Sequence, residues 1–141
     1  GTGIATTVVD ASVEECTGLA YYQASIKNRK NMKKDGLSQL VEKHINDHSL
    51  YYITTRELSF FLNPREGRSK ITWMKDDGKI VINVSDTKDV IEEFPLKEGN
   101  VLVSVHTVWV FEKLDPIGEI PQTAVTFTTR VDARGNIPAI A

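Results

Sequence analysis

The segment Asn100 to Phe111, Asn-Val-Leu-Val-Ser-Val-His-Thr-Val-Trp-Val-Phe, limits the fold more than any other stretch of the chain. Its odd positions Val101, Val103, Val105, Thr107, Trp109 and Phe111 form one nearly apolar row, whereas Ser104 and His106 interrupt the other. Side chains alternate between the two faces of a strand, so such a row needs a core or a ligand against it. The segment is too short and too polar to cross a bilayer as a helix, and its β-branched and aromatic residues disfavour a soluble helix. It predicts the central strand of a curved antiparallel sheet. By the same alternation His106 faces away from Val105 and Trp109.

A chain of 141 residues suffices for a single domain, here spanning 1–141, with a core of its own. A net charge of -2 gives no global reason to expect nucleic acid. The only cysteine, Cys16, excludes an internal disulfide and a cysteine-rich zinc site, which fits a reducing, cytoplasmic setting. No signal peptide, membrane span or lipidation box is legible. The chain opens Gly-Thr-Gly rather than with Met, as expected of one processed or cut from something longer.

Ile4 to Val9 reads as a strand leading into a helix. Ser12 and Glu15 form a capping box, and Val13, Cys16, Leu19, Ala20 and Ala24 recur at helical spacing, which predicts a helix over Val13–Ser25 with Cys16 buried as a structural thiol. Lys27 to Lys34 is the densest positive cluster and reads as a solvated connector or helix face, since no aromatic residue is interleaved for base stacking. Leu37, Leu40, Val41, His44 and Ile45 predict a second amphipathic helix. His44 and His48 have the spacing of zinc ligands on such a helix, but the intervening Ile-Asn-Asp lacks the metalloprotease glutamate, so they read as helix-end histidines and no metal is expected.

Everything after Ser49 reads as β. Leu50 to Arg56 is a strand, and Leu58 to Pro64 an apolar connection. Arg68 to Lys75 and Lys79 to Ser85 form a hairpin closed by Asp76-Asp77-Gly78, and a glycosylation triplet at Asn83 falls inside it by chance. Asp86 to Gly99 is a polar loop with an apolar island of Val90, Ile91, Phe94 and Leu96. A turn through Asp115 to Gly118 and a last strand over Ala124–Val131 complete the order, an α+β pattern with helices over the concave face of the sheet.

Ile45-Asn46-Asp47-His48-Ser49-Leu50-Tyr51-Tyr52, Pro64-Arg65-Glu66 and Val131-Asp132-Ala133-Arg134-Gly135-Asn136-Ile137-Pro138 together resemble the START lipid-transfer domain, a helix-grip fold. Val9-Asp10-Ala11-Ser12 with Glu14-Glu15 is similar to that family's strand-to-helix step. The resemblance covers Ile4 to Pro138. It implies a sheet wrapped around an apolar tunnel for one lipid, with a C-terminal helix as lid. That helix and the family's N-terminal elements are not in this sequence, so an incomplete domain, with another chain supplying missing elements, is expected. Gly67 stands where the family's motif usually has an aromatic residue. Ile71 and Val103 occupy positions where sterol-binding members tend to carry buried arginines, which implies a more apolar lining here.

Three functions remain open to the sequence. The first is non-catalytic binding or transfer of a lipid or other hydrophobic small molecule, without a cofactor and with transient membrane contact. Its candidate liners are Ile80, Ile82 and Val84, then Val105, Thr107 and Trp109, then Phe127 and Thr129. Burial of each ligand methylene would contribute about 0.8 kcal/mol. The same rows could instead pack on the two helices as plain core. The second is an enzyme, because helix-grip relatives include cyclases and hydrolases. No nucleophile-base pair or phosphate-binding glycine loop is visible, and His106 is the one obvious acid-base candidate. The third is an interaction module whose cavity has closed, with Lys27 to Lys34 recruiting a partner or membrane.

Overall fold

The computed structural model describes residues 2–21, 37–57, 63–89 and 91–132, with the side chains of 37–40 left out. The elements are β1 (Thr2–Val9), α1 (Val13–Tyr21), β2 (Leu37–Asn46), β3 (Ser49–Arg56), β4 (Arg65–Asp76), β5 (Lys79–Asp86), β6 (Val101–Leu102), β7 (Ser104–Ile117) and β8 (Ile120–Asp132). They build one sheet in the order β1-β8-β7-β5-β4-β3-β2, with β6 set parallel against β4 at Arg65 and Glu66. The other pairings are antiparallel. The expected α+β class, an antiparallel sheet with a helix on its concave face, is the one observed.

Local chemistry sets the connections. Asp77 and Gly78 both take positive φ, 48° and 77°, the two-residue hairpin geometry that matches the twist of β4 and β5. Between β7 and β8 the two-residue loop Gly118-Glu119 has positive φ only at its first residue, Gly118 at 62°, the other hairpin geometry compatible with strand twist. At the start of α1, Ser12 Oγ accepts from the Glu15 amide at 3.1 Å, and Glu15 Oε1 accepts from the Ser12 amide at 3.5 Å. The capping box thus satisfies donors that a helix N-terminus leaves free. Thr123, fully buried on β8, donates its hydroxyl to the Ala11 carbonyl at 2.8 Å and pins this helix start to the sheet.

Register builds one continuous apolar row across the concave face. Thr107, Trp109 and Phe111 of β7 lie opposite Val84, Ile82 and Ile80 of β5 and opposite Thr129, Phe127 and Val125 of β8. Val84 in turn lies opposite Ile71 of β4, which lies opposite Leu50 of β3. α1 places Val13, Cys16 and Tyr21 on this row, and together they form the buried core. Cys16 is a buried free thiol.

Several expectations are corrected. The second helix is the strand β2, paired with β3 from Leu37↔Arg56 to Asn46↔Ser49. Its apolar spacing fits a helical stripe, but pairing along a whole neighbouring strand outweighs propensity. His44 and His48 are therefore not one helical face: His44 sits 2.9 Å from Glu42, and His48, in the β2–β3 turn, stacks on Trp73 at 4.1 Å. The organising segment is also two strands rather than one. Val103 breaks it, so that β6 extends along β4 where β5 has ended, and β7 then crosses to lie between β5 and β8. β7 is interior, while β5 is the middle of the sheet path.

The predicted helix residues beyond Tyr21, the Lys27–Lys34 cluster, most of the Leu58–Pro64 connection, Val90, and the segment after Asp132 lie outside the described residues. β1 is exposed along its whole length, with Ile4 at 74% and Val8 at 57%. Only β8 pairs with it among the described residues.

Candidate ligand-binding site

Among the described residues, a cleft of about 460 Å³ lies on the concave face beside the C-terminal half of α1. Its walls are Leu19 and Ala20 of α1, Tyr52 and Thr54 of β3, and Gly67, Ser69 and Ile71 of β4. Val84, Val103, Val105, Thr107, Trp109 and Phe127 complete it. Strand alternation explains the membership, since Gly67, Ser69 and Ile71 share one face of β4 and Val105, Thr107 and Trp109 share one face of β7. Trp109 is held between Phe127, at a centroid distance of 4.4 Å, and Phe111, at 6.0 Å.

Of the liners expected from sequence, Val84, Val105, Thr107, Trp109 and Phe127 border the cleft. Ile80 and Ile82 do not. They are 6% and 0% exposed and pack in the cluster that holds Val13 and Cys16, because α1 covers that end of the row. Thr129 lies beside the cleft, its hydroxyl 2.9 Å from that of Thr107. Sequence reasoning missed Leu19, Ala20, Tyr52, Thr54 and Ser69 as liners. The alternation of β3 and β4 relative to Ile71 carries that signal, once their register is known.

No Asp, Glu, Lys, Arg or His borders this cleft among the described residues. Two of the buried charges of β4 point the other way. Glu66 and Arg68 alternate to the convex side, where Arg68 Nε donates to Glu66 Oε2 at 2.6 Å with both side chains nearly inaccessible. Asn100 Nδ2 donates to Glu66 Oε1 at 3.2 Å, and Arg68 Nη1 is buried without a hydrogen-bond partner. Glu66, the second residue of β4, is thus one half of a buried ion pair. Arg65, also buried, donates to the Asn63 carbonyl at 2.7 Å.

His106 lies on the convex face, exposed, its Nε2 3.2 Å from Asn83 Oδ1. The loop after β5 is tied to that same convex side. Tyr51 donates its hydroxyl to Asp89 at 2.9 Å, Lys43 pairs with Glu93, and the Thr87 amide donates to the Arg68 carbonyl at 3.0 Å. The hydrogen bond to Asp89, followed by desolvation and then by the charge of Asp89, raises the Tyr51 hydroxyl above its ordinary 10.0. This loop therefore docks behind the sheet rather than across the cleft.

A second depression, about 530 Å³, lies at the other end, between the α1 N-terminus and the turns of the β4–β5 and β7–β8 hairpins. Lys75, Lys79, Lys113, Glu14 and Glu119 border it, so a hydrocarbon chain there would face ionised groups. The uncharged cleft is the better candidate despite its smaller volume. No group of acidic, histidine or cysteine side chains suited to a metal occurs among the described residues. No helix among them is long and apolar enough to cross a membrane.

No family model matches the chain, and no curated protein matches it in sequence. Solved structures do. Human STARD10 superposes with a TM-score of 0.72 at 13% identity, over 97% of this chain and 53% of its own. Human StAR-related lipid transfer protein 5 gives 0.71 at 18% identity, over 99% of this chain and 64% of its own. The STAR-related lipid transfer protein of Xanthomonas axonopodis gives 0.69 at 15% identity, over 97% of this chain and 72% of its own. The fold is the helix-grip of START domains. The chain thus spans between about half and three-quarters of the START structures it resembles.

Proposed function

We propose that this chain binds, without altering it, one uncharged lipid or other hydrophobic molecule in the concave cleft, as part of a binding or transfer function. The observation that carries the proposal is the cleft itself, apolar along Ile71, Val84, Val103, Val105, Trp109 and Phe127 and free of ionisable carboxylates and bases among the described residues. Its volume of about 460 Å³ lies within the roughly 300–1,000 Å³ typical of small-molecule sites. Desolvation supplies the affinity, at about 0.8 kcal/mol for each methylene moved out of water. A charged headgroup would have no counter-charge in such a wall.

The START-like fold supports the same reading, because the names of the structures with that fold include lipid transfer proteins. Acid-base chemistry has no support at the cleft, since His106 is on the other face and Glu66 is engaged by Arg68 behind the sheet. Loading from a membrane through transient contact, in a cytoplasmic setting, is the corresponding mode of ligand entry. The exposed strand β1 is where an additional chain or segment would extend the sheet. Native mass spectrometry of protein purified from cells tests the proposal. A co-purifying neutral lipid of defined mass is expected, and a protein that stays empty when offered neutral lipids would overturn it.

A further inference from the structure

The convex face of the sheet carries a transverse row of cations that the cleft does not use. Register sets Lys70 of β4 opposite Ser85 of β5, Ser85 opposite His106 of β7, and His106 opposite Arg130 of β8. Residues directly opposite in a ladder share a face, and each of these adjoins a residue at the cleft (Ile71, Val84, Thr107 or Thr129), so the row faces away from it. All four strands are interior to the sheet. Neighbouring strands are about 4.8 Å apart, which puts Lys70 and Arg130 about 14 Å apart across three steps. Their long side chains can therefore both reach a group seated over Ser85 and His106. His106 and Arg130 are exposed, and Lys70 is half-buried.

The row contains no acid, and among the described residues neither Lys70 nor Arg130 forms an ion pair. Acids close by are mostly committed: Asp89 accepts from Tyr51, and Asp86 accepts from Ser104 Oγ at 2.6 Å and the Val105 amide at 2.8 Å. Asp132, at the end of β8, stands diagonal to His106. Thr87 is tied to Arg68 and Asp89 to Tyr51, so Lys88, exposed between these anchors, is held near the Lys70 end of the row. Cations gathered without a counter-charge repel one another, and a bound anion relieves that. Asn83 orders the centre, its Oδ1 3.2 Å from His106 Nε2 and its Nδ2 donating to Ser85 Oγ at 3.2 Å. An amide oxygen only accepts, so the imidazole carries a proton on Nε2 and its Nδ1 is left for another partner. Ser85, accepting from Asn83, keeps its own O–H to donate.

We propose that this row binds the phosphate group of a soluble phosphate monoester, seated over Ser85 and His106 and flanked by Lys70 and Arg130. A tetrahedral phosphate presents three oxygens in different directions, which suits donors that converge from four strands. The planar Arg130 fork takes two of them, and the Lys70 ammonium acts as a point charge. A nucleic-acid strand fits less well, because the cations converge on one point and no ring in the row offers a stacking surface to a base beyond His106 itself. The site is separate from the concave cleft and does not depend on what the cleft holds.

The test titrates the full chain with glycerol phosphate, and with glycerol as the probe that lacks the anion, following the His106 imidazole and Arg130 guanidinium signals by NMR. Glycerol phosphate should shift both saturably, glycerol should not, and the affinity should fall as sodium chloride is raised. Arg130→Gln and Lys70→Gln should each weaken binding by about fivefold or more, since each removes a charge-assisted contact. Arg130→Lys, which keeps the charge and loses the planar fork, should weaken it by less. Lys113→Gln, at the depression near the α1 N-terminus, should leave it unchanged. Unchanged thermal midpoints for these surface substitutions separate loss of binding from loss of fold. Shifts that rise without saturating, or an affinity that Arg130→Gln and Lys70→Gln leave unaltered, would overturn the site. So would a chain that ignores glycerol phosphate yet sediments saturably with phosphatidic acid vesicles through Arg130, because the partner would then be a membrane.

Discussion

Removing one member of the buried pair on β4 should destabilise the protein strongly without touching ligand binding. Glu66→Ala leaves the Arg68 guanidinium 4% exposed with its Nε partner gone, while Nη1 already has none. It also frees Asn100 Nδ2. Breaking a buried pair by removing one partner costs about 3–5 kcal/mol, because the remaining charge has neither water nor counter-charge. For a domain of this size each kcal/mol moves Tm by roughly 2–4 °C, so a fall on the order of 10 °C is expected. The double substitution Glu66→Leu with Arg68→Met should recover most of the loss, since apolar replacement of both partners is often neutral. Urea denaturation of Glu66→Leu, Arg68→Met and their double gives the coupling free energy. Ligand affinity should stay within about twofold of the parent, since the pair is behind the sheet; that factor is below about 0.5 kcal/mol. A loss under about 1 kcal/mol for Glu66→Ala, of the size of an exposed pair, would show that this cluster is hydrated and would refute the reasoning.

Three smaller perturbations test the elements that position the cleft. Gly78→Ala forces a side chain into a left-handed conformation at φ 77° and should cost about 1–2 kcal/mol by chemical denaturation. Ser12→Ala removes the acceptor for the Glu15 amide and should cost about 1 kcal/mol, with a smaller loss for Ser12→Gly. Tyr51 should titrate above the ordinary 10.0 in a phenolate-absorbance difference between the parent and Tyr51→Phe, and Asp89→Asn should bring it back down toward 10.0. Because the folded-state value is raised, this contact helps stability below the unfolded tyrosine's titration and is lost as pH rises through the folded one.

What the sequence made legible was local. The Asp76-Asp77-Gly78 turn, the Ser12–Glu15 box and the apolar row through Trp109 each depend on residues a few positions apart, and each is found where local chemistry predicts it. The strand β2 was not legible. Leu37, Leu40, Val41 and His44 fit a helical stripe, and only the whole-length pairing with β3 decides between the two. The buried pair was hidden for a related reason. Arg65-Glu66-Gly67-Arg68 reads as a polar strand end until β6 runs beside Arg65 and Glu66 and Asn100 reaches the carboxylate, contacts between residues more than thirty positions apart. The liners split the same way. Val84, Val105 and Trp109 followed from alternation, whereas Tyr52, Thr54 and Ser69 needed the register of β3 on β4, and Ile80 and Ile82 needed the seat of α1.

The most direct test of ligand binding in the cleft uses the two tryptophans of the chain. Trp109 borders the cleft, whereas Trp73 stacks on His48 and donates its indole N–H to the Asp47 carbonyl at 2.8 Å. In a Trp73→Phe background the fluorescence comes from Trp109 alone. A bromine-labelled aliphatic alcohol should quench it saturably at about one equivalent, and unlabelled alcohol should reverse the quenching by competition. Quenching that never saturates, or that appears only in the complementary Trp109→Phe background, would show that the ligand does not occupy the concave cleft.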